Sequence, residues 1–170
     1  MWREILLMIL AAAMLCAPGC GKKEPARISY FLSSRADLEK IGGLAFIEIH
    51  DACGNPNVAR GLTEEIYQAV QGKRLFHVSL MDREEPSCRD IPTADRGPYA
   101  LEQILAMRRS LGRDAVLFGS LVRSQPYPRM QVSLYLRLLD LKNGRVSWAI
   151  DHTWDTTDKV TEERVRRFFR

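Results

Sequence analysis

The sequence predicts an α/β domain built on one mixed sheet of about five strands, in the order βαβαβββα. Three short apolar runs alternate with two segments of helical spacing, which is typical of strands buried on both faces and joined by helices. Beyond the third run, apolar and polar residues alternate along two segments separated by Asn143-Gly144. We therefore expect parallel first three strands followed by an antiparallel meander, with two or three layers in all.

The first strand–helix unit begins at Leu44 to Ile49, an apolar run after Gly42-Gly43. A loop punctuated by Gly54 and Pro56 follows. Helical spacing and a terminal Gly72 then predict the first helix. Its apolar positions are Val58, Leu62, Ile66, Ala69 and Val70.

The second unit contains a strand over residues 75–81 and a long polar loop over residues 82–98. The second helix ends at Gly112, and Ala115 to Val122 is the third strand. The apolar side of that helix is predicted to be Leu101, Ile104, Leu105 and Leu111. Right-handed crossovers would place the first three strands side by side.

The meander starts with a strand whose apolar residues alternate with polar ones, as in a strand with one buried face. These residues are Met130, Val132, Leu134, Leu136 and Leu138. Lys142-Asn143-Gly144 predicts a hairpin turn in which both central residues have positive φ. Val146, Trp148 and Ile150 continue the alternation on the returning strand, and a helix from Thr157 to Arg170 closes the domain.

The N-terminus is typical of an exported protein. Leu6 to Leu15 is an unbroken apolar run, shorter than the roughly 20 residues that a spanning helix needs. Small residues follow it, which favours a signal peptide over residues 1–19. Cys20 after this site resembles the bacterial lipobox, and the resemblance implies cleavage before Cys20 and lipid attachment there. Ordinary secretion and a retained anchor are the alternatives, and all three place the domain outside the cytoplasm.

Residues 20–42 then form the lipidated N-terminus and tether, and residues 43–170 the domain. Gly21 and Lys22 follow the cysteine, without Asp at the second mature position. In lipoproteins of double-membraned bacteria this pattern indicates the outer membrane, on its periplasmic face. The expected membrane contact is through the lipid anchor.

The charge composition argues against a nucleic-acid partner. Lys and Arg number 25 against 21 Asp and Glu, for a formal net charge of +4, and the basic residues are dispersed. Anionic envelope polymers or lipid headgroups remain compatible with this balance.

Cys53 and Cys88 follow the first and second strands, so both should lie at the same edge of the sheet. In an oxidising envelope this favours a disulfide between them, with two free thiols as the alternative. His50 stands near Cys53, but neighbours along a strand point in different directions. Nothing in the histidine and cysteine spacing matches a metal site. We therefore predict no catalytic residue, no cofactor and no metal.

Two segments are candidate contact surfaces. The loop over residues 82–98 is one, because loops on a rigid scaffold often carry recognition. The arginine cluster near the C-terminus is the other, although cations are favourable at any helix C-terminus. The predicted partner surface comprises Arg89, Asp90, Arg96, Arg164, Arg167 and Phe168.

Two phrases of the sequence resemble a group of bacterial envelope domains. Leu111 to Ser120 resembles the group's helix-end, strand and glycine segment, and Leu138 to Trp148 resembles its hairpin. Over residues 43–151 the chain thus resembles the family of the curli-secretion lipoprotein (CsgG), the penicillin-binding-protein activator LpoB and the N-terminal domain of TolB.

The resemblance implies a non-catalytic lipoprotein that binds an envelope protein partner. It would regulate or recruit an envelope assembly machine, such as a peptidoglycan synthase or an assembly or export complex. A subunit of a curli-type export channel is the alternative, and that function requires a homo-oligomer.

Overall fold

The structure is a computed structural model that describes residues 28–34, 38–89, 91–93 and 98–168. Its sheet has seven strands, so the prediction of about five was too low. The strands are β1 (Tyr30–Leu32), β2 (Gly43–Ile47), β3 (His50–Asp51), β4 (His77–Met81), β5 (Ala115–Gln125), β6 (Gln131–Asp140) and β7 (Arg145–Asp155). The helices are α1 (Pro56–Gly72), α2 (Leu101–Leu111) and α3 (Lys159–Phe168), and a 3-10 turn spans Pro86–Cys88.

The strand order is β1-β7-β6-β5-β2-β4, with β3 paired to β5 beyond the end of β2. β2 is parallel to both β4 and β5, which confirms the parallel arrangement of the first three predicted strands. β5, β6 and β7 form the predicted antiparallel meander. β1 lies in a segment for which the sequence predicts no secondary structure, and it pairs with β7 as an additional antiparallel strand.

The helices cover the sheet on two faces, which makes three layers. α1 packs on one face, where its buried Ala59 joins the core residues Leu44, Phe46 and Leu117. α2 packs on the other face, where Met107 joins Ala45, Ile47, Val116 and Phe118. Successive residues of β2 therefore enter opposite cores, as the two-residue period of a strand requires.

The ends of α1 and α2 and the hairpin turn lie where the sequence predicts them, but the residues that have positive φ differ in part from the prediction. Gly112 ends α2 in the left-handed conformation, with φ 58°. α1 ends at Gly72, as predicted, but the positive φ that follows it belongs to Arg74. In the hairpin only Gly144 has positive φ, so the prediction for Asn143 was wrong. The loop has four residues, and Asp140 accepts hydrogen bonds from Lys142 N, Asn143 Nδ2 and Gly144 N. This longer loop needs one left-handed position, at Gly144.

Gly119 is required by the close approach of two strands. A Cβ at this position would overlap the backbone carbonyl of Tyr135 and lie 2.8 Å from Leu136 Cα. The glycine in the phrase from Leu111 to Ser120 thus serves the packing of β5 on β6.

Candidate functional site

The carboxyl ends of the parallel strands carry the loops that the sequence favours for recognition. In open α/β sheets this edge is where ligands bind. β3 pairs with β5 at His50–Ser120 and Asp51–Leu121, and residues 52–55 then lead into α1. The Thr63 hydroxyl holds this connection, because it accepts a hydrogen bond from Ile49 N at 3.1 Å.

Asp51 organises the first loop around Cys53. Asp51 Oδ1 accepts hydrogen bonds from Cys53 N at 3.1 Å and from Cys53 Sγ at 3.3 Å. Backbone donors, that of Asn55 foremost, lower the pKa of Asp51. Loss of hydration and then the Asp51 carboxylate raise the pKa of Cys53. This environment favours the neutral thiol, which is the opposite of what a cysteine nucleophile needs.

The predicted disulfide is absent from the structure, in which Cys53 and Cys88 are both free. Cys53 is exposed in the loop that leads to α1, on one face of the sheet. Cys88 is buried in the core on the other face, with Met107 and Phe118. The two loops do follow neighbouring parallel strands, but they leave the sheet edge toward opposite layers.

The second loop, which follows β4, is bound to the connection between β2 and β3 through Arg83. Arg83 Nε donates to the carbonyl of Glu48 at 3.2 Å, and its Nη2 is buried without a hydrogen-bond partner. Burial lowers the pKa of Arg83. Farther along the loop, the Ser120 hydroxyl donates to the carbonyl of Thr93. The loop after β4 is therefore held both to the β2–β3 connection and to β5 at this edge.

The predicted partner residues fall into two separate elements. Arg89 is exposed after the 3-10 turn, and that turn packs against α2. Arg164 and Arg167 are exposed on α3, which contacts β7. Phe168 ends α3, and its side chain lies outside the described residues, as do Cys20, Asp90 and Arg96.

α3 is capped at its N-terminus, and one of its arginines pairs within the helix. Asp158 Oδ2 accepts hydrogen bonds from Thr161 N at 3.1 Å and from Thr161 Oγ1 at 2.9 Å, as an N-cap residue does. These bonds lower the pKa of Asp158. Arg166 pairs with Glu162 at 2.7 Å, one turn earlier on the helix.

Two leucines on the outer side of α2 were predicted to be core residues, and that prediction was wrong. Ile104, Met107 and Leu111 are buried, whereas Leu101 is 69% and Leu105 43% exposed. The buried residues Ile104, Met107 and Leu111 are separated by three and four positions and define the face of α2 that contacts the core. Leu101 and Leu105 lie to the side of that face. The position of Met107, three residues after Ile104 and four before Leu111, was the feature of the sequence that could have identified the buried face.

A pocket of about 420 Å³ between the end of α1 and the sheet has no counterpart in the sequence predictions. Four α1-side residues line it at helical spacing, namely Ile66, Ala69, Val70 and Lys73. The opposite wall is a row across the sheet in which Leu117 pairs with Leu138 and Leu138 with Trp148. Leu75, 51% exposed, also lines it. We call this feature the apolar pocket.

Two features are missing from the part of the chain that the structure describes. The described residues contain no group of three or more His, Cys, Asp and Glu side chains able to hold a metal ion. None of the helices in the same ranges combines the length and apolar character needed to cross a bilayer.

The fold and site define a three-layer α/β domain with its candidate recognition loops at the carboxyl edge of its parallel strands. Among solved structures it is similar to the PelC dodecamer from Paraburkholderia phytofirmans, with TM-score 0.50 and 16% identity over 79% of this chain and 89% of that chain. Lipoprotein GNA1162 from Neisseria meningitidis has TM-score 0.43 and 17% identity, over 66% of this chain and 78% of that chain. The LpoB C-terminal domain from Salmonella enterica has TM-score 0.40 and 15% identity, over 66% and 82%.

The PelC match shows a shared fold and nothing about activity, and the other two matches are too distant to carry an argument. No protein-family model matches the chain, and no curated protein is similar to it in sequence. The resemblance to the curli-secretion lipoprotein stays a prediction.

Proposed function

We propose that this chain is a non-catalytic, lipid-anchored envelope protein that binds an envelope assembly machine and regulates or recruits it. The anchor would be Cys20, and the location the periplasmic face of the outer membrane. The apolar run from Leu6 to Leu15 and the small residues before Cys20 support the anchor.

The exposed leucine pair on α2 carries the binding proposal. Single exposed apolar residues are common on protein surfaces. Leu101 and Leu105 are one helical turn apart, so they form a joint apolar surface, and the loop that holds Arg89 packs beside the same helix through its 3-10 turn. An apolar centre surrounded by a polar rim is the usual anatomy of a protein interface.

The two described cysteines support a non-catalytic role. The pKa of each thiol is raised, chiefly by loss of hydration, and for Cys53 the Asp51 carboxylate adds to the effect. Neither thiol thus has the depressed pKa that activates a nucleophile.

The test is affinity capture of the full-length protein from crosslinked native membranes, read by mass spectrometry. The informative variant is Leu101→Ser with Leu105→Ser. The matched control is Val122→Ser with Tyr127→Ser, which also removes two exposed apolar side chains. We expect a defined envelope complex with the wild type and the control, and its loss with the α2 variant. Cys20→Ala should weaken capture by removing the anchor. Equal capture by all variants would refute the α2 surface.

A second candidate is an export-channel subunit that acts as a homo-oligomer. Its support is the shared fold with PelC, whose solved structure is a dodecamer. Native mass spectrometry of the full chain in detergent separates the two candidates. A ring of identical subunits without a partner favours the channel, and a monomer bound to another envelope protein favours the adaptor.

A further inference from the structure

The apolar pocket has one charged residue in its lining, Lys73. The rest of the lining comes from aliphatic and aromatic side chains of α1, the sheet and the segment before β4, together with Leu38 before β2. Leu75, in that segment, leaves half of its surface exposed to water. Contact between apolar surface of this kind and water is unfavourable in free energy. An apolar ligand that displaced the water would therefore stabilise the pocket.

The size and chemistry of the pocket suit a small apolar ligand. Its volume of about 420 Å³ lies in the range of about 300–1,000 Å³ that is usual for ligand sites. Apolar sites lined by leucine, isoleucine and phenylalanine accept apolar molecules. The pocket wall has this composition in Leu117, Leu138, Ile66 and Phe76.

The charge at the pocket selects an anion. The Lys73 stem can lie along apolar surface while its ammonium reaches water. Arg74 follows directly, so two cations stand at the end of α1. The carbonyls at this helix end carry only about half a negative charge. These two cations outweigh the charge of the helix end, and the pocket lining itself contains no acidic side chain.

We propose that the apolar pocket binds a free fatty acid, with the hydrocarbon chain between α1 and the sheet and the carboxylate at Lys73. The proposal does not rest on the partner-binding function, because it concerns a different part of the molecule from Leu101 and Leu105.

Trp148 provides the test, because it lies in the pocket wall. The full chain is placed in lipid nanodiscs and titrated with dodecanoate that carries bromine on its terminal carbon, a quencher of tryptophan fluorescence. We expect saturable quenching that is lost in Trp148→Phe. Dodecanol brominated at the same carbon should bind about fivefold more weakly, as should dodecanoate to Lys73→Gln, because each removes an exposed ion pair.

Two substitutions on α1 separate the pocket from the surrounding lipid. Ala69→Phe fills the pocket and should abolish the quenching. Gln68→Phe places the same aromatic side chain at the adjacent exposed position, outside the lining, and should leave the quenching unchanged. Circular dichroism checks that each variant is folded. Should Ala69→Phe not fold, the test is whether Lys73→Gln, at the exposed end of α1, weakens dodecanoate binding as predicted.

Three results would overturn the proposal. The first is a wild type without quenching. The second is equal quenching in Ala69→Phe, which would place the probe in the bilayer. The third is quenching that is seen in Cys20→Ala but not in the lipidated wild type. That result would show that the acyl group on Cys20 of the same chain occupies the pocket.

Discussion

Asp114 and Lys142 connect the starts of two strands to the hairpin between β6 and β7. Asp114 Oδ1 lies 3.1 Å from Lys142 Nζ, and its Oδ2 accepts a hydrogen bond from Gly42 N at 3.0 Å. Two backbone hydrogen bonds join the same segments, since Asp114 N donates to Gly43 O and Asp114 O accepts from Leu141 N. One residue thus fixes the beginnings of β2 and β5 against the loop that ends β6.

We expect Asp114→Asn to lower the free energy of unfolding by about 1 kcal/mol at neutral pH. The Lys142 contact, foremost, lowers the pKa of Asp114 in the folded state. The stabilisation is therefore complete above the pKa of the unfolded carboxyl, about 3.9, and is lost as pH falls through the lower folded-state value. Urea unfolding at neutral pH and below pH 3 measures it.

The matched control for Asp114 is Glu65→Gln, at an exposed position on α1. The stability gap between wild type and Asp114→Asn should shrink in acid. A gap that stays constant at all pH values would show that the carboxylate charge contributes nothing.

Gly119→Ala should destabilise the protein by about 3 kcal/mol or prevent folding, because the new methyl group meets the Tyr135 carbonyl and overpacks the sheet. Gly61→Ala is the contrasting substitution. Gly61 lies inside α1 with open space around its missing Cβ, so alanine should add about 0.5 kcal/mol of stability. Thermal unfolding of both variants measures the difference, and similar effects at the two sites would contradict the strand approach described at Gly119.

Thr63→Val should cost about 2 kcal/mol, because it removes the acceptor for the buried Ile49 N while keeping the shape of the side chain. Thr63→Ser keeps the hydroxyl and should cost clearly less. Urea unfolding measures both variants. The reverse order would mean that the methyl group, and not the hydrogen bond, holds α1 to the β2–β3 connection.

The two cysteines should differ in alkylation. Iodoacetamide should label Cys53 in the folded chain and Cys88 only after unfolding, since Cys88 is buried. Asp51→Asn should speed the labelling of Cys53 severalfold near pH 8, because it removes the negative charge that helps to raise the thiol pKa. Peptide mass spectrometry assigns the sites. Failure to label either cysteine in the unfolded, unreduced chain would show that the disulfide predicted from the sequence forms after all.

The sequence carried enough information to predict the strands of the meander, because alternation along 131–140 and 145–155 extends over many residues. It did not reveal β3, whose two residues are too short for any periodicity, nor β1, whose three residues are all exposed. The Cys53–Cys88 prediction assumed that loops at one sheet edge meet. The helices on opposite faces draw these two loops apart.

The apolar pocket could not be predicted for a different reason. Lys73 and Trp148 are distant in sequence, and each has an ordinary local explanation, as a cation at a helix end and as an apolar position on an alternating strand. Only the packing of α1 over the row from Leu117 to Trp148 brings them to one site.

The central place of β5 has a consequence for biosynthesis. β6, its antiparallel partner, follows it directly, whereas β2 precedes it by about 70 residues. During synthesis from the N-terminus, the apolar strand Leu44–Ile47 therefore has only its β4 partner available until β5 emerges. We expect nascent chains that stop before Ala115 to aggregate or to require a holding chaperone, and chains that extend through β7 to become protease-resistant.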